Sequence, residues 1–161
     1  MIDTYSFESP VGVLTLCANK NAVTRISFTP DAVCGASGRG GSHSDILHEA
    51  YTQLCEYFAG KRRAFQIPVE MNGTPFQKSV WQALCEIPYG ETRSYKDIAV
   101  RIGNPLAVRA VGQANNRNPI MIIVPCHRVI GSNGALTGYA CGLGIKEYLL
   151  ELEKTVSTRG V

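Results

Sequence analysis

The apolar residues of the first 71 positions follow the pattern of a small sheet and one helix. Short runs of β-branched and aromatic residues, separated by turn residues, predict three strands. These runs are Thr4–Phe7, Gly12–Leu16 and Val23–Phe28. From Asp45 the apolar positions recur at helical spacing until Gly60, which can end the helix. Ile67–Val69 then predicts a short edge strand.

The remainder of the chain has the apolar spacing of helices. Three helices are predicted, over Phe76–Glu86, Ser94–Ile102 and about Leu106–Asn116. The last two are short and are joined by a tight turn, Gly103-Asn104-Pro105, which is typical of a helix-turn-helix. The outward face of the final helix carries small and polar residues: Arg109, Gly112, Gln113 and Asn116. This face is either a solvated surface or one that a sugar-phosphate backbone can approach closely.

Composition and charge restrict the class of protein. The chain has 161 residues, of which 45% are hydrophobic and 18% charged, as in an ordinary globular protein. The longest apolar runs are too short to span a bilayer, and the start of the chain lacks the pattern of a secretory signal. We therefore expect no membrane association and a cytoplasmic location. The formal net charge is +3, and the excess of Lys and Arg lies after residue 71, where an anionic partner is expected.

The six cysteines are widely spaced and include no Cys-x-x-Cys pair, so we expect reduced thiols and no metal site. The most informative of them lies in Pro125-Cys126-His127-Arg128, directly after an apolar run. An imidazole or a guanidinium nearby lowers the pKa of a thiol and makes it a better nucleophile. Adjacent side chains of an extended chain point to opposite sides, so Cys126 and His127 can cooperate only across a turn or through a bridging water. Without further context, such a cysteine is more often an inert buried residue.

The motif Pro125-Cys126-His127-Arg128-Val129, with Asn118-Pro119 before it, resembles the active-site signature of the O6-alkylguanine-DNA alkyltransferases. The resemblance continues in order and spacing from about Thr74 to Glu153. It implies an α+β fold in which a small N-terminal sheet-and-helix domain (RNase H-like, residues 1–71) precedes a mainly helical, winged-helix-like helix-turn-helix domain (residues 72–155) that carries the active-site cysteine. Residues 156–161 are expected to form a flexible tail.

The same resemblance implies direct-reversal repair of DNA. A protein of this kind flips an O6-alkylguanine, and also an O4-alkylthymine, out of double-stranded DNA and moves the alkyl group irreversibly to its own cysteine. It is consumed in one turnover, as a methylated-DNA–protein-cysteine S-methyltransferase. The resemblance implies no cofactor, no metal and no obligate protein partner, so a monomer is expected.

The resemblance also assigns roles in the chemistry. Cys126 corresponds to the acceptor thiol, and His127 and Glu153 to the residues that activate it through a water molecule. Tyr95 corresponds to the tyrosine that protonates the departing base. Asn118 corresponds to the hinge between the DNA-reading helix and the cysteine segment.

Other positions correspond to DNA and substrate contacts. Arg109 matches the arginine finger that fills the space left by the flipped base. The expected DNA contacts are Ser94, Tyr95, Asn104, Arg109, Ala110 and Gly112. The expected guanine pocket uses the backbone carbonyls of Cys126 and Val129, together with Tyr139 and the amide near Ala140.

Two other classes of function stay open at this point. A non-reactive alkyltransferase-like protein binds lesions with the same fold but replaces the cysteine. The presence of Cys126 argues against that class, and only a pocket blocked by Cys141, where glycine is common, would favour it. A cysteine hydrolase using Cys126 and His127 leaves the helix-turn-helix and Arg109 without a role.

Overall fold

The structure is a computed structural model that describes residues 2–28, 45–134 and 143–158. Their contacts divide the chain into two compact units. The first contains the described residues up to Asn72 together with Pro119–Met121, and the second contains Gly73–Asn118 and the described residues from Ile122 onward. The α+β class, with the sheet in the first unit and most helices in the second, is confirmed. The inclusion of Pro119–Met121 in the first unit was not predicted.

The first unit is built on a three-stranded antiparallel sheet in the order β1-β2-β3. The strands are β1 Asp3–Ser9, β2 Gly12–Ala18 and β3 Val23–Ser27, and the helix α1 spans Asp45–Phe58. The register of β1 and β2 runs from Asp3 opposite Ala18 to Ser9 opposite Gly12. The apolar face of α1 is buried against this sheet, through Leu47, Ala50, Leu54 and Tyr57. The predicted strands and helix are therefore present.

Two expectations for this unit are wrong. The edge strand expected over Ile67–Val69 is reduced to a single parallel bridge between Val69 and Val23. Pro68 has no N–H to donate and contributes only its carbonyl, which accepts from the N–H of Val23 at 2.9 Å. Cys17 is disulfide-bonded, so reduced thiols are not found throughout. Among the described residues the free cysteines are Cys55, Cys85 and Cys126.

The second unit contains the helices α2 Pro75–Cys85, α3 Tyr95–Arg101, α4 Val108–Asn116 and α5 Leu143–Thr158. A capping box formed by Thr74 and Gln77 begins α2, and Ser94 caps α3 together with Asp97. The indole Nε1 of Trp81 on α2 donates to the carbonyl of Ala114 on α4 at 2.8 Å, which joins these two helices. The predicted helix-turn-helix is therefore present as α3 and α4.

Two further features of this unit differ from the sequence pattern. The two-residue strands β4 Arg93–Ser94 and β5 Val129–Ile130 pair in parallel and were not predicted, because two residues are too few to show a period. The helix α5 continues to Thr158, so residues 156–158 are not a tail. The apolar side chain of Val156 is buried, which favours helix beyond the expected end at residue 155. Residues 159–161 of the expected tail lie outside the described residues. None of the described helices has the length and apolar content that crossing a bilayer requires.

Candidate active site

Cys126 lies in a tight turn instead of an extended segment. Pro125 has φ −82° and ψ 66°, and the N–H of Cys126 donates to the carbonyl of Val124 at 2.8 Å. This is the geometry of an inverse γ-turn centred on Pro125. Cys126–Arg128 then form one 3-10 turn. The turn that cooperation between Cys126 and His127 requires is therefore present.

Two buried asparagines near the end of α4 hold the cysteine segment. The Nδ2 of Asn118 donates to the carbonyl of Val124 at 2.7 Å, and the Nδ2 of Asn115 donates to the carbonyl of Cys126 at 3.3 Å. Between Asn118 and Cys126, Ile122 has a positive φ of 73°, which is unusual for a β-branched residue. Backbone conformations of this kind cost on the order of 1–3 kcal/mol and persist where the surroundings hold them. Asn118, to which the resemblance assigns the hinge, thus connects the end of α4 to the cysteine segment, and Asn115 makes a second connection.

The Glu153 carboxylate lies at the centre of a buried polar cluster. Its Oε2 is 2.6 Å from the Nε2 of His127, and its Oε1 accepts from the backbone N–H of Gly90 at 3.2 Å. Arg128 donates through Nε to Oε1 at 2.8 Å and through Nη2 to Oε2 at 3.1 Å. A carboxylate can remain charged in the interior when it is paired as fully as this. Glu153 lies one turn after Leu149 on α5, and both side chains are buried.

The charges of this cluster fix the proton positions. Burial would raise the pKa of Glu153, but the hydrogen bonds of His127 and Arg128, the charge of Arg128 and, where it is protonated, the charge of His127 outweigh it and lower the pKa to about 2. Burial lowers the pKa of His127 below its ordinary value, and Glu153 offsets this only in part. Near neutral pH Glu153 is therefore ionised and His127 is neutral.

The neutral state of His127 identifies its basic nitrogen. An ionised carboxylate only accepts hydrogen bonds, so the Nε2 of His127 carries the proton that it donates to Glu153. The Nδ1 then holds a lone pair, and within the described ranges it has no hydrogen-bond partner. The imidazole can act as a base through Nδ1.

Arg128 has a different role from the one that its position near Cys126 suggests. The sequence motif indicates that its guanidinium lowers the pKa of the thiol. Besides its two bonds to Glu153, its Nη1 donates to the carbonyl of Ile87 at 2.7 Å, and its guanidinium carbon is 5.6 Å from the ring centroid of Tyr89. Arg128 therefore neutralises and orients Glu153.

Lys146 on α5 and Tyr95 on α3 form a second group within the unit. Lys146 is fully buried, and its Nζ donates to the carbonyl of Val129. The same Nζ is 5.8 Å from the ring centroid of Tyr95, which is half-buried. Burial lowers the pKa of Lys146 to about 8, with the charge of Cys126 acting in the opposite direction. A lysine charge thus lies within cation–π range of the tyrosine and is electrostatically coupled to the cysteine.

The outward face of α4 is open to solvent. Arg109, Ala110, Gln113 and Asn116 are exposed, as is Asn104 in the preceding turn. A Cβ atom added at Gly112 would lie 3.9 Å from the ring of Tyr95, so the small residue of this face adjoins the tyrosine. Ser94 is half-buried, and its hydroxyl accepts from the N–H of Asp97 at 3.0 Å as a helix cap. Tyr139, Ala140 and Cys141 lie outside the described residues.

Two family models match almost the whole chain. Residues 3–71 match the ribonuclease-like domain of 6-O-methylguanine DNA methyltransferase, and residues 75–155 match its DNA-binding domain. The chain belongs to the 6-O-methylguanine DNA methyltransferase family. The resemblance that the cysteine motif indicates is therefore confirmed, and so is the order of a ribonuclease-like and a DNA-binding domain.

Relatives in the 6-O-methylguanine DNA methyltransferase family cover nearly the whole chain. A methylated-DNA–protein-cysteine methyltransferase of Methanosarcina barkeri is 54% identical over 148 residues, which are 91% of this chain and 94% of the relative. The constitutive methyltransferase of that name from Bacillus subtilis is 49% identical, with 91% and 92% covered. The crystal structure of Mycobacterium tuberculosis OGT in complex with DNA superposes with a TM-score of 0.86 at 46% identity, covering 96% of this chain and 93% of the other.

Three buried residues of this methyltransferase-family site were not singled out by the sequence: Asn115, Arg128 as the partner of Glu153, and Lys146. One signal could have found the lysine. Lys146, Leu149 and Glu153 are spaced three and four residues apart, so they share one face of α5. The stripe that directs Glu153 inward directs Lys146 inward as well.

Proposed function

We propose that this protein repairs double-stranded DNA by transferring the alkyl group of an O6-alkylguanine to the Sγ of Cys126. The observation that carries the proposal is the buried His127–Glu153 pair, in which His127 follows Cys126 in one 3-10 turn and keeps its basic Nδ1 available. The names of the relatives supply the substrate class, methylated DNA, and the acceptor class, a protein cysteine. The helix-turn-helix in the same unit supplies a surface for DNA.

The first step is the activation of the thiol. The Nδ1 of His127 takes the proton of Cys126 through one water molecule, because a thiolate is the nucleophile in such reactions. Glu153 stabilises the imidazolium that forms, and Arg128 keeps Glu153 ionised and oriented. When the proton leaves, His127 becomes neutral again and Glu153 is still ionised, so the pair returns to its original charge state.

The second step is in-line displacement at the alkyl carbon. The bond from Sγ to carbon forms while the bond from carbon to O6 breaks, and the electron pair of that bond stays with the base. Guanine departs poorly as an anion, so the hydroxyl of Tyr95 donates a proton to it, and Tyr95 regains a proton from solvent as the one held by His127 leaves. Overall the thiol proton is replaced by the alkyl group and guanine gains one proton. No cofactor enters this balance, and the thioether product has no route to hydrolysis, so each molecule acts once.

The exposed face of α4 supports DNA binding with base flipping. Ala110 and Gly112 are small and allow the backbone of DNA to approach, while Ser94 and Asn104 flank the two ends of α3. Arg109 is a long planar cation that can enter the space left by the flipped base and bind the orphaned partner base. Such binding depends chiefly on phosphate contacts and tolerates most sequences.

The base pocket is proposed to include the carbonyl of Val129, with Tyr139 and Ala140. The carbonyl of Cys126 is a weaker candidate, because it already accepts from the Nδ2 of Asn115 and from the N–H of Val129. A carbonyl oxygen has two lone pairs, and both are then used within the protein.

We also propose that the protein acts as a monomer in the cytoplasm and accepts O4-alkylthymine. All side chains of the proposed reaction come from one chain, so a second copy adds none to it. A thymine alkylated at O4 presents the same alkyl–oxygen bond to the thiolate.

The transfer is tested by incubating the protein with a duplex oligonucleotide that contains one O6-methylguanine and measuring the mass of the intact protein. We expect a gain of at most one methyl group per molecule, located on Cys126, with unmodified guanine restored in the DNA. Cys126→Ala should lose the transfer and keep most of its affinity for DNA, whereas Cys85→Ala, at an exposed free cysteine, should behave as the wild type. Lesion binding without transfer would favour the non-reactive class, and turnover of an ester or amide would favour a hydrolase.

A further inference from the structure

Leu106 carries an apolar side chain that stands almost wholly in solvent, at 95% exposure. Among the described residues the next most exposed large apolar side chain is that of Val100, at 55%. Single exposed apolar residues are common on protein surfaces, so exposure by itself indicates nothing. The place of Leu106 within the helix-turn-helix is what gives its exposure a meaning.

The backbone around Leu106 forms a closed turn that points the residue away from the protein. The N–H of Ala107 donates to the carbonyl of Asn104 at 3.0 Å, which makes residues 104–107 a β-turn. Pro105 and Leu106 are its two central residues, and proline is favoured at the first of these positions because its φ is already set. We call residues 104–107 the Leu106 turn. Because its backbone is held in this way, a contact made by the leucine costs little further ordering of the chain.

The Leu106 turn adjoins the face of α4 that is proposed to bind DNA. α4 begins at Val108, directly after the turn, and Arg109 follows Leu106 by three residues. Both Val108 and Arg109 are exposed, so the apolar surface of the turn continues into the charged surface of the helix. No aspartate or glutamate occurs between Asp97 and Glu147, so this stretch of the DNA-binding domain adds no negative charge that would repel phosphates.

Duplex DNA offers an apolar surface beside its phosphates. The carbons of the deoxyribose and the edges of the bases line its grooves, and proteins that bind there place aliphatic side chains, leucine among them, against these groups. Burial of a leucine in such a contact stabilises a complex in proportion to the apolar area removed from water. It releases no counterions, so its contribution depends little on salt, in contrast to that of a phosphate contact.

We propose that the Leu106 turn makes an apolar contact with duplex DNA, in which the side chain of Leu106 packs against deoxyribose and base edges of the groove that α4 enters. The contact rests on the proposed function, which supplies the DNA face of α4. Arg109 provides charge and enters the stack, whereas Leu106 provides a contact from which water is excluded.

The contact is tested by the affinity for an unmodified duplex oligonucleotide, measured by fluorescence anisotropy over a series of NaCl concentrations. Leu106→Ala removes most of the apolar side chain, and its dissociation constant should rise about fivefold, as for the partial burial of a leucine. The slope of affinity against salt should match the wild type, because no phosphate contact is lost. Leu106→Met keeps the apolar volume and should bind within about twofold of the wild type. Urea unfolding of both variants should be unchanged, since the side chain is exposed.

Val100→Ala is the matched control, because it shortens an exposed aliphatic side chain of the same helix-turn-helix. Val100 lies in a groove lined by residues of α2 and α3. Two arginines also line this groove, Arg93 and Arg101, and each is paired with a glutamate. The groove therefore offers little positive charge to DNA, and Val100→Ala should bind as the wild type does. An equal loss of affinity in Val100→Ala and Leu106→Ala would overturn the proposal.

A direct measurement keeps the native leucine. The methyl signals of Leu106 are assigned in the NMR spectrum by their loss in Leu106→Ala. In the complex with duplex DNA they should show intermolecular NOEs to deoxyribose protons. If the methyl group of Ala110 on α4 shows such NOEs and the methyl groups of Leu106 show none, the proposed contact is wrong.

The transfer assay separates this contact from the proposed reaction. Leu106→Ala should slow the repair of O6-methylguanine in duplex DNA about fivefold below saturation, in line with its affinity, and should react with the free base O6-benzylguanine as fast as the wild type. A wild type that binds DNA through Leu106 and transfers no methyl group would refute the proposed transfer and leave the contact standing. Wild-type affinity in a folded Leu106→Ala protein overturns the contact, whatever the transfer assay shows.

Discussion

Arg128 in the buried cluster and Arg109 on the face of α4 show two uses of one residue type in the same unit. Arg128 is 7% exposed and donates to Glu153 twice and to the carbonyl of Ile87, so its charge is balanced inside the protein. Arg109 is exposed to solvent. The buried arginine is part of the fold and of the site together, whereas the exposed one is available to DNA. Changes at the first should therefore alter stability, and changes at the second should alter recognition alone.

Glu153→Gln is expected to produce the largest loss of stability, because it removes the charge that balances Arg128. Breaking a buried ion pair from one side costs about 3 kcal/mol or more, since the remaining charge stays buried without compensation. The free energy of unfolding, measured with urea near neutral pH, should fall by about that amount. The control is Glu151→Gln, at an exposed carboxylate two residues earlier on α5. It should change the free energy of unfolding by less than about 0.5 kcal/mol.

The stability lost in Glu153→Gln should depend on pH. The pKa of Glu153 is lowered from 4.5 to about 2 by its partners, after their effect has exceeded that of burial. A lowered pKa gives stability that is fully present above the ordinary value and is lost as the pH falls towards the folded value. The difference between wild type and Glu153→Gln should therefore shrink between about pH 4.5 and pH 2. A difference that stays constant over this range would contradict the assigned ionisation of Glu153.

The contrast between the two arginines also shows why the sequence predicts one part of the site better than the other. The face of α4 follows from helical spacing alone, and its residues are exposed as predicted. The partners of Glu153 lie 25 and 26 positions before it, and one further partner, the N–H of Gly90, lies 63 positions before it. No local pattern reports contacts at such distances. Only the family motif connected His127 with Glu153, and it did not include Arg128 in that group.

Short elements and single contacts limit the prediction of the fold in the same way. The helices α1 to α4 and the three-stranded sheet were predicted from their apolar spacing and turn residues. The pairing of β4 with β5 involves two residues on each strand, and the bridge between Ile120 and Ile26 involves one on each side. Lys146 was missed for a different reason, because its residue type indicates solvent although its helical position indicates the interior.

Arg109→Ala tests the exposed arginine of this comparison. An exposed side chain away from caps and cores contributes within about 0.5 kcal/mol to stability, so urea unfolding should match the wild type. Repair of O6-methylguanine in duplex DNA should be slowed strongly, because the arginine is proposed to hold the base out of the stack. Reaction with the free base O6-benzylguanine should change far less, since no base pair has to open. An equal loss on both substrates would contradict the proposed role in base flipping.

Gly112→Ala is expected to have the smallest effect of these variants. It separates an effect on the free energy of unfolding from an effect on the affinity for DNA. The added Cβ would make an ordinary contact with the Tyr95 ring at 3.9 Å, so the interior has room for it. Alanine is favoured over glycine within a helix by about 1 kcal/mol, so the free energy of unfolding should stay equal or rise slightly. The methyl group would nevertheless stand on the face that DNA must approach, and the affinity for duplex DNA should fall severalfold. Undiminished affinity in this variant would mean that the backbone of α4 at Gly112 does not lie against DNA.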